Sequence, residues 1–160
     1  MPGFYVEKAR SDVEKTFLQH FWYAEQIGPL NVQGLLLQDV GLPNFETAPH
    51  EQNGASLTYK FANFIKYSDA TITFYDTLGL FKDLEEWRKK IWEPNTGLQP
   101  KKSYAKDTVI VQTDGAGNEK QKYKLVNTWP SKIDSGQLTY TKSEAKVVTL
   151  TLVCDYMTVE

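Results

Sequence analysis

From Lys146 to Met157 the chain reads KVVTLTLVCDYM, and this stretch decides the fold. Val148, Leu150, Leu152, Cys154 and Tyr156 occupy one set of alternate positions. Val147, Thr149, Thr151, Val153 and Asp155 occupy the other. Period-two alternation with one apolar and one mixed face is the pattern of a half-buried β-strand. A long β-branched strand of this kind belongs to a sheet, and a sheet has edges that must be covered.

The same alternation recurs upstream. Residues 16–27 (TFLQHFWYAEQI) carry Phe17, Gln19, Phe21 and Tyr23 on one face and Leu18, His20, Trp22 and Ala24 on the other. Both faces are aromatic, which fits burial on two sides or an interface. Gly28-Pro29 signals a turn, and 32–40 reads as a returning strand, so the two are expected to form a hairpin. Residues 44–55 (NFETAPHEQNGA) show no period and read as a loop of unusual length for a compact domain. Strands follow at 56–64 and 69–75.

One helix is expected, over about 77–92. Leu80, Phe81, Leu84, Trp87, Ile91 and Trp92 make its apolar stripe, with Asp76 or Thr77 as the cap. Its other face carries Lys82, Asp83, Glu85, Glu86, Lys89 and Lys90; Glu85/Lys89 and Glu86/Lys90 have the favourable i,i+4 order. Residues 107–113 and 119–128 form a hairpin about Asp114–Asn118, Trp129-Pro130 breaks the second strand, and 137–141 is a short strand before the last. The total is seven or eight strands and one flanking helix. The expected fold is mainly β, a sandwich or barrel in one domain over 16–160, with an arm at 1–15.

Composition narrows the function. The 160 residues are 41% hydrophobic and 13% aromatic with net charge -2, so no basic field invites nucleic acid. The single Cys154 cannot form an internal disulfide and reads as a buried hydrophobe. No run reaches the ~20 apolar residues of a membrane span. The first fifteen residues lack the apolar core of a signal peptide, which points to a cytoplasmic origin. His20 and His50, the two histidines, stand in different elements without metal-ligand spacing. No Gly-x-Ser-x-Gly elbow occurs, and Cys154 has no histidine in its strand. Residues 114–118 lack the acidic positions and closing glutamate of a calcium loop. Catalytic, metal and cofactor residues are therefore not assigned. Lys120, Lys122 and Lys124 alternate along one strand face, with Tyr123 on the other. They read either as a surface for single-stranded nucleic acid or as a solvated face whose lysines discourage edge pairing.

The order of elements, with DVGLPNF at 39–45, ATITFYDTLGLFKDLEEW at 70–87, Trp129-Pro130, and a closing strand ending in Asp155-Tyr156, resembles the tail tube proteins of contractile-tailed phages. The resemblance covers about 16–156. It implies a structural subunit, with no enzymatic role, that forms hexameric rings stacked into a hollow tube inside the sheath. Its implied partners are itself, the sheath, baseplate and tail terminator proteins, and phage DNA passing without specific binding; no membrane is implied. The implied location is the virion tail, assembled in the host cytoplasm. A tube-initiator or baseplate subunit, or the tube of a contractile injection system, shares the same fold. The 44–55 loop and its flank would reach the adjacent ring, making Phe45, His50, Leu57, Tyr59 and Phe61 contact candidates beside Phe4, Tyr5 and Val6 of the arm. Lys82, Glu85, Glu86 and Lys89 of the helix, with Lys120, Lys122 and Lys124, are candidates for sheath or neighbour contact.

Overall fold

A computed structural model describes residues 19, 21–31 and 37–160. Its strands are β1 Trp22–Ile27, β2 Leu37–Gly41, β3 Phe45–Asn53, β4 Thr58–Tyr67, β5 Ala70–Tyr75, β6 Trp92–Glu93, β7 Gly97–Leu98, β8 Lys106–Thr113, β9 Glu119–Asp134, β10 Val147–Val153 and β11 Tyr156–Val159. Its helices are α1 Leu80–Ile91 and the single turn α2 Lys101–Tyr104.

The closing stretch buries Val148, Leu150 and Leu152 completely, as its alternation requires. It is two strands, not one. β10 pairs with β5 and with the far half of β9, and β11 pairs with the near half of β9. The break falls at Cys154-Asp155, where the Asp155 N–H donates to the Val126 carbonyl. Its carboxylate takes a hydrogen bond from Asn127 Nδ2 at 2.9 Å and pairs with Lys101 at 2.5 Å. Those partners turn Asp155 and Tyr156 outward and end the buried alternation at Cys154.

β9 explains the break. Trp129-Pro130 does not terminate it; the strand runs sixteen residues and changes partners there. Up to Thr128 it pairs with β8, and from Trp129 it pairs with β10. Proline has no N–H to give a ladder, and Pro130 sits opposite Leu152 where the register shifts. Just before it, Asn127 adopts φ 55, a conformation that asparagine tolerates, and its N–H donates to Asp107. Two buried threonines lock the corner. The Thr108 and Thr128 hydroxyls lie 2.7 Å apart, and Thr128 also donates to the Lys106 carbonyl.

β9 thus joins two half-sheets, β1–β8–β9–β11 and β9–β10–β5–β2. Ala24, Ile27, Ile110 and Leu125 from the first share one core cluster with Ile72, Phe74, Val148, Leu150 and Leu152 from the second. Helix α1 contributes Leu80, Leu84 and Trp87 to it. The helix starts on Gly79 at φ 90 without a side-chain cap, so neither Asp76 nor Thr77 caps it. Trp87 donates its indole N–H to the Tyr104 carbonyl at 2.8 Å. Its ring fills the space over Gly28, where a Cβ would lie 2.4 Å from it; φ +51 there favours glycine as well.

Three further expectations are corrected. β1 pairs with β8 and β2 with β5, so the first two strands are not a hairpin. Residues 137–141 form no strand. Residues 45–53 are not a loop but a strand paired antiparallel with β4 along its length, with one register shift between Thr47 and Pro49. Its proline and histidine hide the pattern, because the strand has no buried face to require alternation.

Candidate assembly surfaces

The β3–β4 hairpin stands off the body with all nine residues of β3 exposed. Phe45, Leu57, Tyr59, Phe61, Phe64 and Ile65 are between 53% and 79% exposed. Tyr59, Phe61, Ile65 and Tyr67 occupy alternate positions, so an unbroken β4 would display all four on one face. The register prevents this. Between Thr47 and Pro49 on β3, the partner strand steps from Ile65 to Ala62, one residue more. This bulge sets Tyr67 and Ile65 beside Phe45 and Thr47 on one face. It sets Phe61 and Tyr59 beside His50 and Gln52 on the other. The hairpin is therefore a blade, apolar on one side at its root and on the other toward its tip. Phe45 and Tyr67 pack ring to ring at 6.3 Å. The expected contact residues Phe45, His50, Leu57, Tyr59 and Phe61 all lie on this blade or at its turn. Phe4, Tyr5 and Val6, and also His20, lie outside the described residues.

The end of the β9–β10–β5–β2 half-sheet away from this hairpin carries Tyr75, Leu78, Leu138, Tyr140 and Val147, all exposed. Sequence reading missed them because it placed a strand at 137–141. Two lone apolar residues between threonines and lysines leave no distinguishing signal.

In the half-sheet β9–β10–β5–β2, two strand edges are open among the described residues. β2 pairs on one side only, with β5. Residues 129–134 of β9 pair on one side only, with β10, because β8 ends opposite Thr128. Between these edges, the face of the half-sheet turned from the core sets Thr71 beside Thr151 and Thr73 beside Thr149. Asp39, Lys132 and Asp134 flank them in register.

The lysine strand is spent inside the subunit. Lys120 pairs with Asp114 at 3.6 Å, Lys122 with Glu25 at 3.1 Å and Glu119 at 3.3 Å, and Lys124 with Asp107 at 3.4 Å. The Glu25 and Glu119 carboxylates raise the Lys122 pKa, and the Tyr23 and Lys122 hydrogen bonds lower that of Glu119. Tyr23 donates its hydroxyl to Glu119, which raises the phenol's own pKa. Tyr123 points to the core and hydrogen-bonds Gln112 at 2.8 Å. On this strand the cations are paired and the Tyr123 ring is turned inward, so Lys120, Lys122, Lys124 and Tyr123 do not together make a stacking platform for bases. On α1, Lys82, Glu86 and Lys89 are exposed, and Glu85 pairs with Arg88 rather than Lys89. Among the described residues, no group of three His, Cys, Asp or Glu side chains is disposed to hold a metal ion.

Solved structures share this fold. A chain from the sheath/tube terminator of the PVC extracellular contractile injection system, in its extended state, is 18% identical. The match covers 92% of this chain and 99% of that chain, with TM-score 0.73. The anti-feeding prophage cap, the AFP tube terminating cap, is 21% identical over 91% of each chain, with TM-score 0.71. A chain from the PVC sheath-tube complex in its extended state is 16% identical over 95% of this chain and 96% of that chain, with TM-score 0.71. A comparison with curated proteins finds no match. The family model for the T4-like virus tail tube protein gp19 matches residues 20–158, nearly the whole chain. The chain belongs to that family and is a structural subunit of a contractile-tail tube.

Proposed function

We propose that six copies join edge to edge into a ring, that rings stack through the β3–β4 hairpin, and that the stack is the DNA conduit inside the sheath. The observation that carries this is the pair of open edges on one half-sheet. In the order β9–β10–β5–β2 every neighbour is antiparallel, so the two outer strands also run opposite ways. β2 of one copy set against 129–134 of the next therefore continues the antiparallel ladder around a closed ring. Closure removes edges that would otherwise template aggregation. The hairpin's exposed rings are too numerous for a solvated loop and supply the axial contact.

The threonine face of this half-sheet then lines the channel. Uncharged hydroxyls flanked by a few charges of both signs give a polyanion nothing to grip, so DNA passes without specific binding. The sheath, terminator and baseplate are the proposed partners. The fold neighbours support this, since they come from sheath-tube, terminator and six-fold symmetrised baseplate assemblies. The exposed Lys82, Glu86 and Lys89 of α1 are proposed to meet the sheath. No catalytic step is assigned to the subunit.

Negative-stain microscopy of the purified chain tests the reading, with hollow tubes or six-membered rings as the expected result. A monodisperse monomer at high concentration would overturn it. Val40→Pro in the β2 edge should stop ring closure more than it lowers subunit stability.

A further inference from the structure

Residues 88–106 hold six cations and one acid, Glu93, a net +5 in a chain whose total is -2. The fold gathers this stretch into one surface. Helix α1 ends at Ile91, the β6–β7 hairpin turns the chain back, and α2 lies against the helix. The Gln99 N–H donates to the Ile91 carbonyl at 2.9 Å, and the Trp92 N–H donates to the Arg88 carbonyl. The Ser103 hydroxyl lies 3.5 Å from the Lys90 carbonyl. Trp92 stands opposite Leu98 in register, so the two side chains share one face of the hairpin. They are 47% and 75% exposed.

The cations around this pair are not all alike. Arg88 is paired with Glu85, and Lys101 with Asp155. Lys89, Lys90 and Lys102 are exposed and meet no carboxylate among the described residues. The dipole of α1 favours cations in its last turn, but Lys102 stands in the first turn of α2, where a cation is disfavoured. We propose that this surface, centred on Trp92 and Leu98, takes an acidic segment of a protein other than this chain, with an apolar side chain set among its carboxylates. The free lysines attract the carboxylates, and the Trp92–Leu98 pair covers the apolar side chain. A second copy is a poor match, since Glu25, Glu119, Asp114 and Asp107 are already paired with Lys120, Lys122 and Lys124. A nucleic acid is a poor match too, since one ring beside a leucine offers no succession of stacking faces. The inference stands on the subunit's own surface and is independent of how copies assemble.

The test adds a fluorescent synthetic peptide, glutamates interrupted by two leucines, to the full chain at low salt and follows its anisotropy. Saturable binding that weakens as salt rises is expected. Lys90→Glu with Lys102→Glu should weaken it by at least about tenfold, because like charges then face each other. Trp92→Ala should weaken it by about tenfold, as truncation does at a hot spot. Lys90→Arg with Lys102→Arg should leave it unchanged, and the charge-reversed variant should instead take a peptide of lysines and leucines. The wild-type chain supplies a check that does not depend on any variant's folding. A carbodiimide joins carboxylate to amine, so it should couple the bound peptide to Lys89, Lys90 and Lys102 ahead of Lys120, Lys122 and Lys124. No saturable binding, coupling spread evenly over the lysines, or equal binding of an all-glutamate peptide overturns the inference. Tighter binding of a single-stranded oligonucleotide of equal charge overturns it as well, as does self-association of the wild type that the charge-reversed variant abolishes.

Discussion

β10 and β4 are both strands of alternating aliphatic or aromatic residues, yet one buries its apolar face and the other buries almost nothing. Val148, Leu150 and Leu152 are wholly enclosed, while Phe61 and Phe64 are 53% and 79% exposed. An isolated two-stranded hairpin is marginal in water, so β3–β4 cannot derive its order from its own two strands alone. The difference teaches that a strand's hydrophobic content reports how much surface must be covered, not which chain covers it. The core strand is completed within the subunit. The hairpin's apolar side chains are left exposed on the subunit, for the neighbour proposed above to cover.

Substitutions in the two strands should therefore fail in different assays. Leu150→Ala opens a cavity in the core and should cost about 2–5 kcal/mol in chemical denaturation of the subunit. A loss under about 1 kcal/mol would mean the two half-sheets are less tightly closed than described. Thr128→Val removes the hydroxyl shared by Thr108 and the Lys106 carbonyl and should cost about 1–3 kcal/mol, since buried partners are left unpaired. Phe61→Ser should change subunit stability by no more than about 0.5 kcal/mol, the range of ordinary surface changes, while shifting assembly to higher protein concentration. Equal losses in both assays would erase the contrast.

Acid should touch the body before the blade. The Lys101 and Asn127 hydrogen bonds hold the Asp155 carboxyl below its usual pKa. A depressed folded pKa contributes stability above the ordinary carboxylate range and loses it as pH falls through the lower folded value. The denaturation midpoints of wild type and Asp155→Asn should therefore differ at neutral pH and converge as pH drops below the carboxylate range. The smallest effect expected is that of salt on hairpin-mediated stacking. Balanced charge on the hairpin strands, where Glu46 and Glu51 offset Lys60 and Lys66, predicts little change in tube length distribution between low and moderate ionic strength.

Much of this was legible in the chain. Val148, Leu150 and Leu152 declared the core strand through period alone, and Leu80, Leu84 and Trp87 declared the helix. The Trp129-Pro130 pair was read locally as a stop, because proline ends most ladders. Only the tertiary partner switch from β8 to β10 makes room for it. The β1–β8 pairing was hidden for a related reason: adjacent strands usually pair, and nothing in the Gly28-Pro29 turn says otherwise. Phe45, Tyr59 and Phe61 could be nominated as contacts, but the bulge that splits them between two faces depends on register and leaves no mark in composition. Leu78, Leu138 and Tyr140 were invisible because isolated surface hydrophobes are ordinary until their neighbours are known.

The unbroken β9 has a mechanical meaning as well. It is the one strand shared by both half-sheets, with ladder bonds to β8 and β11 along its first part and to β10 along its second. A pull directed along it loads those bonds together in shear, so none can yield before its neighbours. A pull across it would open them one by one. The subunit is stiff in the direction its longest strand runs.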